Sequence, residues 1–205
     1  MDAKADLKRE LDSYRARRGE LRLVDVPPMS SLMADGRGDP NTSPEFSAAL
    51  GALYPVAYGL KFLSKRELGR DYVVMPLEGL WWADDPAAFA AGDRAAWRWT
   101  AMIAVPGWTE REAFEAVVAR VRAKGAPARL DDVRLETLEE GRCMQTLHVG
   151  PFADEGPVIA RLHAEIADQG LALTGRHHEI YLSDLRRSAP ERLRTILRQP
   201  VADAP

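Results

Sequence analysis

The 205-residue chain has a single cysteine, Cys143, so it holds no internal disulfide, and no cysteine–histidine cluster has the spacing of a zinc site. It also lacks charge of one sign. Its 28 basic and 31 acidic residues are interleaved, as in REL, ERE and LRRS, for a net charge of −3. A nucleic-acid binder gathers positive charge on one face, because phosphate neutralisation dominates its affinity. No such stripe is present, so nucleic acid is not an expected partner. No apolar run approaches the ~20 residues that cross a bilayer. The charged opening MDAKADLKRELDSYRARRGE has no signal-peptide apolar region. A membrane partner is therefore not expected, and the cytoplasm is the expected location. Phosphate-loop, dinucleotide and G-x-S-x-G patterns are missing, and no cofactor is expected.

What remains is a globular composition, 46% apolar and 29% charged, long enough for one domain or two small halves sharing a core. Residues 1–19 read as a polar helical lead-in. LRLVDVPPMSSLMADG carries strand residues broken at Pro27-Pro28. Thr42-Ser43-Pro44-Glu45 is a capping box with proline at the first helical position, so a helix begins there. Its Phe46, Leu50 and Leu53 face the core, Tyr54, Tyr58 and Phe62 repeat every fourth residue beside them, and Pro55 predicts a kink. DYVVMPLEGLWW and AWRWTAMIAV read as two strands of a hairpin with a long connection, ADDPAAFAAGDRA. Thr109 and Glu112 open a helix that closes at Lys124-Gly125.

The second part repeats this order. VRLETLEEGRCMQTLHVG predicts a hairpin turning at Glu140-Gly141, and GPFADEGPVIARLHAEIADQG a helix with Ile159, Leu162 and Ile166 inward. HHEIYLSD and the end of PERLRTILRQPV are strands. Both parts run strand, turn, helix, strand, strand, which predicts an α+β duplication. Half one covers about 20–107 and half two about 108–205, with a ligand cleft between them.

Four of the five tryptophans, Trp81, Trp82, Trp97 and Trp99, lie in one hairpin, as an aromatic core or as a stacking wall for a planar ligand. Two glutamates interrupt apolar strands. Strand alternation puts Glu78 with Leu80 and Trp82, and Glu179 with His177 and Tyr181. If those faces meet water, both glutamates are ordinary surface residues. If they meet an aromatic cleft, each is a carboxylate of raised pKa suited to proton transfer or cation pairing. The consecutive His177, His178 and Glu179 send neighbours to opposite faces, so they cannot converge on a metal, and none is expected. Cys143 is a small strand hydrophobe, or a nucleophile if His148 lies beside it.

FSAALGALYPVAYGLKF, DYVVMPLEGLWW, WRWTAMI, HVGPFADE, HHEIYLSD and LRTILRQPV, in this order, resemble the GyrI-like family of small-molecule-binding proteins, and its stand-alone members in particular. The resemblance implies a pseudo-twofold pair of β–helix–β–β (SHS2) modules. It implies a buried glutamate at Glu179, aromatic walls from Tyr54, Tyr58, Trp81, Trp82, Trp97, Trp99 and Tyr181, and planar aromatic or cationic ligands. Phe62, His148 and His177 join this ligand set. One similar subfamily hydrolyses cyclopropanoid DNA-alkylating natural products of the duocarmycin and yatakemycin type. That likeness casts Glu179 as base, Tyr181 as donor and Glu78 as second carboxylate. The alternatives are a protein that sequesters drugs without chemistry and a gyrase-interacting protein.

Overall fold

A computed structural model describes residues 4–85, 93–184 and 187–204 of the chain. The charged N-terminus lacks an apolar stripe, and a short isolated helix of that kind is not stable. Among the described residues, one α-helical turn, α1 (Leu7–Glu10), and a 3-10 turn at Asp12–Tyr14 form in place of the helical lead-in. What anchors the segment is Tyr14, buried to 7% exposure. Strands β1 (Arg22–Val26) and β2 (Met29–Arg37) follow, separated at Pro27-Pro28 as their sequence predicts. Helix α2 (Pro44–Glu67) starts with Pro44 in its first turn and continues through Pro55. It is long and apolar enough to cross a membrane by length and composition. Here its Ala49, Ala52, Leu53, Val56, Ala57 and Leu60 are buried in the main core instead.

The DYVVMPLEGLWW stretch becomes a strand only from Glu78, past Pro76, as β3 (Glu78–Ala83). It pairs with β4 (Trp97–Ala104), Trp81 opposite Trp99. Of the connection between them, residues 86–92 lie outside the described residues. Helix α3 (Arg111–Ala123) caps at Lys124 as expected. The rest is β5 (Arg134–Leu138), β6 (Gly141–Val149), α4 (Glu155–Asp168), β7 (Leu171–Leu173), β8 (His177–Tyr181) and β9 (Arg194–Asp203).

The strand order is β1-β6-β9-β8-β3-β4-β2-β5, with β7 on β9. It reads symmetrically outward from the central β3–β8 pair: β4, β2 and β5 on one side, β9, β6 and β1 on the other. This is the pseudo-twofold α+β arrangement expected of the duplicated pattern. One expectation fails. Glu140-Gly141 does not turn a hairpin, because β5 pairs with β2 whereas β6 pairs with β1 and β9. Each half's leading strand is exchanged onto the other half's second strand, β1 onto β6 and β5 onto β2. Two-residue links, Pro27-Pro28 and Glu139-Glu140, join strands near opposite ends of the order, so the sheet must curl into a half-barrel.

The curl gives the sheet an outer face, covered by α2 and α4, and an inner one. Close packing on the outer face depends on glycine. A Cβ on Gly36 would lie 2.1 Å from the Trp99 ring, and Trp99 is fully buried. Gly36→Ala is therefore expected to cost about 1–3 kcal/mol by overpacking, read as a lower urea midpoint with an unchanged m-value. An unaltered midpoint would show that Trp99 has room to move.

Candidate functional site

At the centre of the outer face, β3 and β8 bring the two halves together. Their register sets Gly79 opposite Glu179 and Trp81 opposite His177. Beyond β8, Tyr181 stands opposite Thr195, and Thr195 opposite His148. Tyr181 donates its hydroxyl hydrogen to Glu179 Oε2 at 2.6 Å, and His177 Nε2 lies 3.6 Å from Glu179 Oε1. The alternation that sequence predicts for His177, Glu179 and Tyr181 is the one observed. The aromatic wall is continuous: Trp81 lies 5.8 Å from Trp97 and 6.0 Å from Phe46, and Phe152 meets Tyr181 edge-on at 5.5 Å. A Cβ on Gly79 would meet the Trp81 indole at 2.7 Å, so the bare glycine beside Glu179 lets the ring lie over the strand.

Helix α4 supplies a second carboxyl. Glu155, in its first turn, is 5% exposed, and its Oε1 has no hydrogen-bond partner among the described residues. Burial, and then the negative charge of Glu179, push its pKa up to about 9, against a hydrogen bond from Thr195 and the more distant Arg94 cation. At neutral pH Glu155 is therefore a neutral acid facing Glu179. Two turns along the helix, burial and then the His177 ring depress the pKa of His163. Burial, and then the Glu179 charge, hold the Tyr181 phenol well above its ordinary pKa, so it remains a donor. Its one hydrogen goes to Glu179. Tyr181 therefore orients that carboxylate and has none left for a ligand, contrary to the donor role expected of it.

The other expected residues divide. Trp81, Trp97 and His177 belong to this cluster. Tyr54 shares the side of α2 that carries Phe46 and is half-buried against the core. Trp99 stands one strand further out, fully buried under Phe46 at 5.0 Å. His148 points to the same face, but its Nε2 sits 3.0 Å from the Pro151 carbonyl, which ties it to the turn before α4. Tyr58 and Phe62 are 48% and 46% exposed on the far side of α2, away from Glu179. Trp82 and Glu78 face the inside of the half-barrel. Trp82 lies beside Met33, Leu80 and Met102, with the Arg176 guanidinium 3.6 Å above its ring.

Glu78 is not a second carboxylate for Glu179. Its register partner is Ile180, so it points to the opposite face. There it accepts from Tyr14 Oη at 2.6 Å and sits 3.0 Å from His178 Nε2. Glu140 stands 2.9 Å from His178 Nδ1 and accepts from Arg198 at 2.8 Å. Arg198 also donates to Gln145 and to the Ser13 carbonyl. This network fills the inner face. Cys143 lies on that face too, fully buried, its thiol pushed up to about 12 chiefly by burial. Five residues along the strand, His148 takes the other face, so the pair forms no nucleophile.

Sequence reading passed over Glu155 because an acid in the first turn of a helix is what the helix dipole ordinarily favours. Its only signal lay in HVGPFADE, among the stretches that carry the family resemblance.

A curled antiparallel half-barrel with a helix over each half, and a buried acid pair packed against aromatic rings where the halves meet, defines a small-molecule-binding class of domain. Residues 19–202 match the GyrI-like small molecule binding domain, and the chain belongs to that family. It is similar to an uncharacterized conserved protein from Listeria innocua, at 39% identity and a TM-score of 0.89, over 97% of this chain and all of that one. It is also similar to a crystal structure of a hydrolase from Listeria innocua, at 38% identity and a TM-score of 0.84, over 97% of this chain and all of that one. A hydrolase encoded by lin2189 of the same organism matches at 38% identity and a TM-score of 0.86, over 98% of this chain and all of that one. No curated protein sequence matches the chain.

Proposed function

We propose that this GyrI-like domain binds flat aromatic molecules in the recess around Glu179 and opens strained cyclopropanoid electrophiles by adding water. The observation that carries this reading is the unlike carboxyl pair, Glu155 held neutral next to a Glu179 oriented by Tyr181, against the wall of Trp81, Trp97 and Phe152. A spirocyclopropane conjugated to a dienone is planar and stacks on such a wall. The hydrolase names of the two Listeria innocua relatives agree with it in reaction class.

In the proposed step, Glu179 accepts a proton from water as its oxygen bonds to the cyclopropyl methylene. The broken carbon–carbon bond leaves its electron pair in the ring, and the dienone carbonyl becomes a phenolate oxygen. Glu155 donates its proton to that oxygen, so the product is a phenol bearing one added water. Proton exchange between the two carboxyls and solvent restores the starting state. A neutral acid is needed because an ionised one could neither donate nor tolerate the developing charge.

The test incubates the protein with a spirocyclopropyl dienone of the duocarmycin or yatakemycin type and follows product mass. Gain of one water at a rate above the buffer reaction is the expected result. Substrate recovered unchanged at high protein concentration would sink the hydrolytic reading, and a saturable shift in tryptophan fluorescence in the same sample would then mark a sequestering protein.

A further inference from the structure

Tyr58 and Phe62, which the cluster around Glu179 leaves out, form part of another feature. They line an open trough of about 430 Å³ between α2 and α3, with Val117 and Val121 on the facing helix. Gly59 makes the trough possible: a Cβ there would lie 2.5 Å from Val117, so the helices meet closely below and splay above. The two rings stand 6.4 Å apart and tilted by 32°, forming a shallow aromatic floor. Single exposed apolar residues need no explanation, but a contiguous, concave group of them is a mark of binding.

The rim is basic. Arg66, Arg120 and Lys124 line the trough, and none of the described residues lining it is acidic. On a chain of net charge −3, three cations around one apolar floor are a local reversal of sign. Last-turn cations ordinarily serve the helix dipole, and Arg120 also meets Glu67 at 3.1 Å. Neither role explains why aromatic rings lie open between them. The Arg66 guanidinium stacks 5.9 Å from the Phe62 ring, and Lys124 forms no ion pair among the described residues.

We infer that this trough is a second binding site, for a small organic anion with a flat apolar body, such as an aryl sulfonate or aryl carboxylate. The volume suits a small molecule. The aromatic floor spans a single helical turn, about 5.4 Å, too short to grip the apolar stripe of a docked helix. The ligand charge is opposite to that favoured by the acidic recess, and neither Glu155 nor Glu179 takes part, so the site stands apart from the proposed hydrolysis.

Titration of the full chain with anilinonaphthalene sulfonate, an aromatic anion whose fluorescence rises on binding, tests this against uncharged phenylnaphthylamine. The expected result is saturable one-to-one sulfonate binding. It should weaken about tenfold or more in the Arg66→Glu/Lys124→Glu protein, a loss of about 1.4 kcal/mol, with the neutral dye unaffected. Tyr58→Ala/Phe62→Ala, on exposed positions, should lose both dyes while melting like the parent. Sulfonate affinity that is equal in all three proteins, or absent from the parent, would overturn the assignment. So would a charge reversal that weakens both dyes alike.

Discussion

Turnover of a spirocyclopropyl dienone by the Glu179→Gln protein is expected to fall about 10²–10⁴-fold, the usual contribution of a positioned proton acceptor. KM should hardly change, because the amide keeps the shape that Tyr181 orients and the wall is untouched. Glu155→Gln should likewise spare KM and lower kcat, since an amide can donate a hydrogen bond but cannot transfer the proton. The two variants part in their pH dependence. In the parent, turnover should decline as pH rises through about 9, where Glu155 ionises. Glu155→Gln removes that limb. Glu179→Gln moves it to lower pH in whatever activity survives, because the charge of Glu179 is one of the causes that raise Glu155. Stability follows the same group. A carboxyl that binds its proton more tightly folded than unfolded loses stability as pH rises from 4.5 towards about 9. Glu155→Gln should therefore melt above the parent at about pH 8. A Glu155→Gln protein with full turnover would remove the acid from the scheme. One with parental stability at alkaline pH would show that the Glu155 carboxyl is solvated.

Much of this site is legible in the residues, and what is not has a physical cause. Strand alternation alone puts His177, Glu179 and Tyr181 on one face, since the period of two survives any register. Which face Glu78 shares with them depends on how β3 slides against β8, and the observed pairing of Glu78 with Ile180 sends it inward. Register is a tertiary property that a single strand does not encode. The aromatic stripe of α2 misleads for a related reason. Large rings suggest a buried face, but the helix approaches the sheet through Ala49, Ala52 and Ala57, because Trp99 already fills the space below. Tyr58 and Phe62 are turned outward as a result. The exchange of β1 and β5 between halves is equally invisible, since a two-residue link between strands normally marks a hairpin.

Glu140→Gln is expected to cost about 3–5 kcal/mol, the largest stability loss anticipated from any single polar substitution here. The reason lies inside the half-barrel. His178 is almost fully buried, with Glu140 on one ring nitrogen and Glu78 on the other, an arrangement that requires both nitrogens to donate. Burial alone would lower its pKa, but the Glu140 charge and these bonds raise it to about 9. Burial would raise Glu140, yet His178 and Arg198 hold it at about 2. Each group is folded-state stabilising in its charged form. The contribution of Glu140 is complete above 4.5 and is lost as pH falls towards about 2. That of His178 is complete below 6.5 and is lost as pH rises towards about 9. Urea midpoints should therefore peak between about pH 5 and 6 and fall on both sides. Because Glu155 adds its own alkaline loss, the comparison belongs in the Glu155→Gln background. There, the second substitution Glu140→Gln should flatten both limbs and lower the melting temperature by roughly 10 °C. The N-terminal segment should loosen with it, since Arg198 bonds the Ser13 carbonyl and Gln145 the Arg15 carbonyl from the same cluster. Proteolysis between residues 4 and 18, expected to be slow in the parent, should then precede global unfolding. A loss below about 1 kcal/mol would place the network with solvated surface pairs, and the inner face would need another account of its stability.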